Sequence, residues 1–286
     1  MTIHQAYQQL LFQLYEIYDN REAQNIADWV MEYITEWKRI DRIINKEFPL
    51  SIQKEEQLKK ITAELLNHRP VQYVLGEAWF AGMKFYVNEK VLIPRPETEE
   101  LVEWIVKEVT NSGLQAVKII DIGTGSGCIP IALKKKLPDA QITAIDVCSE
   151  ALSIAVENAV NNETEIDFKL IDFLDDPKWA ELGRFSIIAS NPPYIKKSEA
   201  ADMKKGVLDF EPSLALFVPD NDALIFYKKI AEFAQAHLEK NGTAFLEINE
   251  ALGNDVVNLF KEHGFSNIEL KKDLQGKDRI VKASFN

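Results

Sequence analysis

The chain has 286 residues, 46% of them hydrophobic and 27% charged, with 12 Gly, 11 Pro and two Cys. This composition excludes collagenous, low-complexity and disulfide-scaffold proteins. The length, close to the roughly 250–300 residues at which single cores stop growing, predicts two unequal domains. A net charge of −12 opposes any role built on gripping nucleic-acid phosphates, which needs basic patches.

No stretch reaches the roughly 18 consecutive apolar residues of a membrane helix. The opening residues 1–20 lack a basic n-region and a small-residue cleavage site, so a cytoplasmic location without membrane attachment is expected. Cys128 and Cys148 form no redox or metal motif, and His4, His68, His237 and His263 are scattered, so no metal site is expected.

The first 70 or so residues follow a helical period. Tyr7, Leu10, Leu11, Leu14 and Tyr18 fall on one face, as do Ala27, Val30, Met31 and Ile34, and then Leu58, Ile61 and Leu65. With no Gly before Gly76, a small helical bundle over residues 1–75 is predicted, serving either as a recognition module or as a stabilising cap. The aromatic and β-branched stretch Trp79–Val87, followed by Val91–Ile93, predicts short strands or a hairpin turning at Asn88-Glu89-Lys90. That segment, residues 76–95, would join the bundle to a larger domain over 96–286.

From residue 97 strands alternate with helices. Helices are expected over 97–110, 127–136, 149–161, 222–239 and 250–263. Strands are expected over 117–121, 142–145, 166–171, 185–190 and 243–248, and near 266–271 and 279–284. Such alternation predicts a parallel α/β sheet, and the final pair of adjacent strands predicts an antiparallel edge.

Two constellations carry chemistry. Asp121-Ile-Gly-Thr-Gly-Ser-Gly127 follows a buried-type strand and opens a helix, and its alternate glycines permit φ > 0 and close ligand approach. A dinucleotide fingerprint would place its third glycine at position 128, which Cys128 occupies, so the loop departs from a pyrophosphate cradle. Nineteen residues past Gly127 stands Asp146, at the end of the next strand, where a carboxylate suits the hydroxyls of a cofactor ribose.

The second constellation, Asn191-Pro-Pro-Tyr194, lies at the carboxyl end of the strand Phe185–Ser190. Pro192 and Pro193 stiffen the backbone and hold the residues before them extended. The Asn191 side chain and the Pro192 carbonyl can then converge as two acceptors for a planar –NH2 group, and Tyr194 offers a flat face beside it. Such a site would act by positioning and charge stabilisation, not by a strong base.

Together these residues resemble a class I S-adenosylmethionine-dependent methyltransferase. With His68–Gly76, Val91–Glu99, Glu211-Pro212 before Ala215-Leu216, and Asp273–Val281, the chain is most similar to the HemK/PrmC family of release-factor glutamine N5-methyltransferases. The resemblance implies a Rossmann-like, seven-stranded α/β sheet with an N-terminal helical domain. It implies that Gly123, Thr124, Gly125, Ser126 and Gly127 line the methionine end of S-adenosylmethionine. Asp146 would hold the ribose, Asp172 and Phe173 would meet the adenine, and Asn191 would border the cofactor.

By the same resemblance Asn191, Pro192, Pro193 and Tyr194 bind the acceptor, and Asn191, Pro192 and Tyr194 carry the catalysis. The acceptor implied is the Gln of the Gly-Gly-Gln loop of class 1 peptide-chain release factors, with S-adenosylhomocysteine as the product, no direct nucleic-acid partner and a monomeric enzyme. Asn-Pro-Pro-Tyr alone would equally suit a nucleic-acid amino-group methyltransferase; the acidic charge opposes that reading. Asn249 and Leu252 depart from the family pattern, as does the loop Phe217–Ala223. Arg95 is open to two readings, bracing the start of a helix or contacting cofactor or substrate.

Overall fold

The structure, a computed structural model, describes residues 1–113 and 117–285. The described residues divide into two compact units, one of Met1–Glu77 with Lys204–Phe210 and the other of Ala78–Met203 with Glu211–Asn286.

Over Met1–Glu77 the first unit carries α1 (Ile3–Leu14), α2 (Asn20–Thr35), α3 (Arg39–Ile44), α4 (Ile52–Leu66) and α5 (Val71–Leu75). Their starts follow from capping chemistry. Thr2 and Gln5 form a reciprocal capping box at α1, and Asp19 accepts from the amides of Arg21 and Glu22 at α2. The apolar faces read from the sequence meet in a core of Leu10, Leu14, Val30, Met31, Ile34 and Leu65, all nearly inaccessible to solvent. The buried Arg42 is neutralised by Asp28 at 2.8 Å and donates to the Trp37 carbonyl.

The second unit opens on β1 (Glu77–Phe80) and β2 (Met83–Tyr86), which pair with each other. Their turn lies at Ala81-Gly82, not at Asn88-Glu89-Lys90, and Val91–Ile93 forms no strand. Both Ala81 (φ 49°) and Gly82 (φ 75°) have the left-handed backbone that a tight two-residue hairpin needs. Ala81 is an uncommon residue for that role, which hid the turn from composition.

There follow α6 (Pro96–Ser112), β3 (Lys118–Ile122), α7 (Cys128–Lys136), β4 (Gln141–Asp146), α8 (Ser149–Asn161), β5 (Asp167–Leu170), β6 (Phe185–Ser190) and β7 (Ile195–Lys196). Next, α9 (Lys205–Phe210) belongs to the first unit, where a side chain at Gly206 would strike the His68 carbonyl. The chain continues through α10 (Ser213–Leu216), β8 (Phe217–Val218), α11 (Ile225–His237), β9 (Leu238–Glu247), α12 (Gly253–Glu262), β10 (Asn267–Lys272) and β11 (Asp278–Ser284). The stretch between β6 and α11, to which the sequence assigns no helix or strand, carries the short parallel pair β7–β8.

The large sheet has seven strands in the order β10-β11-β9-β6-β3-β4-β5. Pairing is parallel from β9 to β5 and antiparallel at β9–β11 and β11–β10. This is the α/β sheet with an antiparallel edge expected from the alternating pattern. The central strands are buried on both faces, as Ile119, Ile120, Ile188 and Ala244 show. From β3 the chain winds outward through β4 and β5, then crosses to β6 on the other side. The topological switch point therefore lies at the carboxyl ends of β3 and β6, where open α/β sheets bind ligands. No helix among the described residues is long and apolar enough to cross a membrane.

Candidate active site

A cleft of about 440 Å³ opens at that switch point. Its wall includes Gly123, Thr124, Gly125, Ser126, Asp146, Asp172, Phe173, Asn191, Pro192 and Pro193. All of them were singled out from the sequence. Gly127 and Tyr194 are not part of the wall.

The glycine loop is held by backbone bonds from below and by a carboxylate from the side. The amides of Gly123 and Thr124 both donate to the Ile145 carbonyl at 3.0 Å. Asp146 accepts from the Gly125 amide at 2.8 Å through one oxygen and from the Cys148 amide at 2.9 Å through the other. Burial raises the Asp146 pKa, and these backbone donors oppose the shift. Gly123, Gly125 and Gly127 all have positive φ. A Cβ at Gly123 or Gly125 would meet nothing within 4 Å, whereas one at Gly127 would lie 3.1 Å from the Ala155 Cβ. Gly127 thus serves the close approach of α8, and the other two keep the cleft floor bare.

Asn158, fully buried in α8, ties this loop to the hairpin. Its Nδ2 donates to the carbonyls of Ser126 and Tyr86, and its Oδ1 accepts from the Tyr86 amide at 2.7 Å. Nothing in the sequence flagged this residue. Asp121 lies beneath the loop, wholly buried, and neither of its oxygens nor the Thr124 hydroxyl makes a well-formed hydrogen bond. Burial pushes the Asp121 pKa up to about 7, the Asp146 charge adds to the rise, and the nearby Thr124 hydroxyl opposes it.

At the far end of the cleft, Phe173 is nearly buried, stacked on Trp179 at 5.4 Å and edge-on to Phe233. Its ring is therefore largely committed to the core. Val147 and Leu174, also on the wall, leave more apolar surface exposed. The sequence gives no sign of either, because exposed aliphatic residues in loops carry no local signal. Asp172 accepts from the Leu174 amide at 3.0 Å.

The acceptor side is set by β6. Ser190 donates to the Ile122 carbonyl at 2.7 Å, pinning the end of β6 to the end of β3. Asn191 follows directly, and its Nδ2 donates to the Thr98 hydroxyl at 3.1 Å. Thr98 in turn donates to Glu247 at 2.6 Å, and Tyr194 donates to the other Glu247 oxygen at 3.4 Å. Glu247 is almost wholly buried at the end of β9. Burial pushes its pKa up to about 7, with the Thr98 and Tyr194 bonds and the Arg279 charge opposing and Glu97 reinforcing the shift. Tyr194 packs against the core with its hydroxyl engaged, and burial raises its pKa. Arg95 pairs with the buried Glu211, whose other oxygen accepts from the Ile93 amide. It therefore ties the segment before α6 to the one before α10, and it also lines the cleft, so both readings of Arg95 have a structural basis.

Comparison with known proteins identifies the family and the fold. Residues 98–207 match the Methyltransferase small domain family and residues 5–76 match the PrmC N-terminal domain. The chain is 44% identical over its full length, and that of the relative, to "Release factor glutamine methyltransferase" of Flavobacterium psychrophilum. It is 40% identical to the protein of the same name from Bacteroides thetaiotaomicron, over 95% of this chain and 96% of that one. Among solved structures, the human Mettl16 catalytic domain superposes with a TM-score of 0.55 at 15% identity, covering 82% of this chain and 83% of that one. That likeness concerns the class I methyltransferase fold alone.

S-adenosylmethionine, the methyl donor of this class, fits the residues present. It carries a sulfonium and an ammonium group, and the cleft wall provides carboxylates at Asp146 and Asp172, with Asp121 buried beneath the glycine loop. Bare glycines leave room for its methionine end, and Val147 and Leu174 offer apolar surface to a base. On full-length identity to proteins of that name, the chain belongs to the release factor glutamine methyltransferases.

Proposed function

We propose that this protein transfers a methyl group from S-adenosylmethionine to the side-chain amide nitrogen of the Gln in the Gly-Gly-Gln loop of class 1 peptide-chain release factors. The observation that carries the reading is the Asn191 carboxamide on the cleft wall. Its nitrogen is committed to Thr98, and its Oδ1 accepts no hydrogen bond among the described residues, leaving an acceptor for a substrate –NH2.

When bound, S-adenosylmethionine supplies an electrophilic methyl group on its sulfonium. Asp146 would hold the ribose hydroxyls while keeping the glycine loop in place, and Gly123 to Ser126 would shape the methionine end, with Gly127 letting the loop pack on α8. Val147 and Leu174, with Asp172 and Phe173, line the part of the cleft that would receive the base. Asn191 Oδ1 and the Pro192 carbonyl accept the two amide protons of the substrate Gln. Acceptors held out of the amide plane would favour a pyramidal nitrogen whose lone pair is freed from the carbonyl. As positive charge grows on that nitrogen, the same oxygens stabilise it, which requires no reorganisation at the moment of reaction. The methylated nitrogen is then strongly acidic and loses its proton to water without a strong base.

The flexible glycines flanking the substrate Gln let it reach into the cleft. The residue 1–75 bundle, with 76–95 as the linking hairpin and 96–286 as the catalytic domain, is the part we assign to substrate recognition. The protein is assigned to the cytoplasm as a monomer, without a direct nucleic-acid partner. A test is to supply labelled S-adenosylmethionine and the protein to a cell extract, with and without nuclease. Label in a release factor that persists after nuclease is expected; label lost with the nucleic acid would transfer the activity to a nucleic-acid amino group.

A further inference from the structure

The acceptor role of Asn191 depends on which end of its carboxamide faces the cleft, and the residues that decide this lie far from it in sequence. A carboxamide is nearly symmetric in shape, so packing alone does not fix its two orientations. Turned one way, Asn191 offers Oδ1 to a substrate –NH2. Turned the other way, it offers N–H groups to N–H groups and repels the substrate.

We propose that Thr98 and Glu247 act as positioning residues that lock the Asn191 carboxamide with Oδ1 toward the cleft. Thr98 has one hydroxyl proton, and it is committed to Glu247 at 2.6 Å. What remains on the Thr98 oxygen is lone pairs, which can only accept, so Asn191 must present its Nδ2, as it does at 3.1 Å. Glu247 can receive the Thr98 proton because it is an acceptor on both oxygens, with Tyr194 donating to the second. The Tyr227 hydroxyl donates to the Glu247 backbone carbonyl at 3.1 Å, fixing the strand end from which the carboxylate projects. The relay thus runs from β9 through the first turn of α6 to the end of β6. It rests on the methyl-transfer reading given above, but the orientation it fixes is a property of the protein alone.

The groups facing the Glu247 carboxylate are Thr98 and Glu97 of α6, Tyr194 after β6, Tyr227 of α11 and Arg279 of β11, with the buried Cys128 of α7 also within its field. Of these only Arg279 is cationic, and it favours the ionised form. Protonated Glu247 could donate to Thr98, release the Thr98 proton toward Asn191 and favour the reversed amide. The locked orientation therefore belongs to the ionised carboxylate. It is lost as pH falls through the Glu247 pKa, which burial places at about 7.

The test combines a spectroscopic readout on the cofactor-free protein with turnover. In isotope-labelled protein, the Asn191 side-chain protons, assigned by their loss in Asn191→Ala, should include one that is shifted downfield and protected from exchange. Thr98→Val should remove that protection and lower kcat on a release factor by roughly tenfold or more, the scale of one lost hydrogen bond to the machinery. The apparent affinity for S-adenosylmethionine should change by no more than about twofold, and Thr98→Ser should restore most of kcat. Glu247→Gln should abolish the acid limb of the kcat–pH profile.

Unprotected Asn191 protons in the wild type, or a folded Thr98→Val protein with wild-type kcat, would overturn the relay. If Thr98→Val does not fold, the wild-type spectrum and the Glu247→Gln profile decide. A wild-type protein that shows the protected proton but never methylates a release factor would refute the reaction and leave the relay standing.

Discussion

Asp121 is a carboxylate with no partner in a site that water does not reach, and its replacement by Asn should expose what that costs. In the unfolded chain its pKa is near 3.8, and in the fold burial raises it to about 7. Below the unfolded value both states hold the proton, and the fold keeps its full stability. Between the two values the folded state retains a proton that the unfolded state has released, so stability falls as pH rises. Above about 7 both states are ionised and the loss is complete.

At about 1.36 kcal/mol per pKa unit, raising pH from about 5 to about 8.5 should remove about 2–3 kcal/mol through this one group. Asp121→Asn has the same shape and no charge to desolvate, so it should be spared that loss. Urea denaturation of the cofactor-free wild type and variant at both pH values provides the assay. Glu247, whose pKa is also raised, contributes to both proteins and cancels in the comparison. The Asn variant should gain stability relative to the wild type by about 2–3 kcal/mol more at the higher pH. A difference between the two proteins that is the same at both pH values would refute the assignment of a buried, unpartnered carboxyl.

Two further outcomes follow from the loop geometry. Asp146→Ala removes the acceptor for the Gly125 and Cys148 amides along with the proposed ribose contact, and should weaken S-adenosylmethionine binding by about 1.5–3 kcal/mol. Calorimetry showing wild-type affinity would remove Asp146 from the cofactor site. Gly127→Ala forces a side chain onto φ 79° and within 3.1 Å of the Ala155 Cβ, and should lower thermal stability by about 1–3 kcal/mol. Ala at Gly125, where nothing lies within 4 Å, should cost the fold less.

What the sequence made legible was local. The run Asp121–Gly127, the acid at Asp146 and the stiff Asn191–Tyr194 turn each declare themselves by spacing at a strand end, and the fold brings most of them to one cleft. The sheet with its antiparallel edge was legible because strands and helices alternate with distinct hydrophobic periods. What stayed hidden depends on pairs distant along the chain. Thr98 reaches Glu247 across 149 positions, and Asn158 reaches Tyr86 across 72; neither pair leaves a local pattern.

Backbone conformation and packing hid other features. The hairpin turns at Ala81 in a left-handed conformation that composition does not announce. The resemblance sets Phe173 against the adenine, and only the fold shows its ring stacked on Trp179, six residues on. The grouping of Lys204–Phe210 with the helical unit is likewise a tertiary fact, carried by a backbone approach that only Gly206 permits.

Whether the acceptor is a Gln side chain held by Asn191 can be measured on the substrate itself. The protein is incubated with labelled S-adenosylmethionine and a purified class 1 release factor, carrying either the native Gly-Gly-Gln loop or the same loop with Gln changed to Ala, and the products are mapped by mass spectrometry. One methyl group on that Gln nitrogen and none on the Ala form is expected. Equal labelling of both forms, or label at another residue, would contradict it.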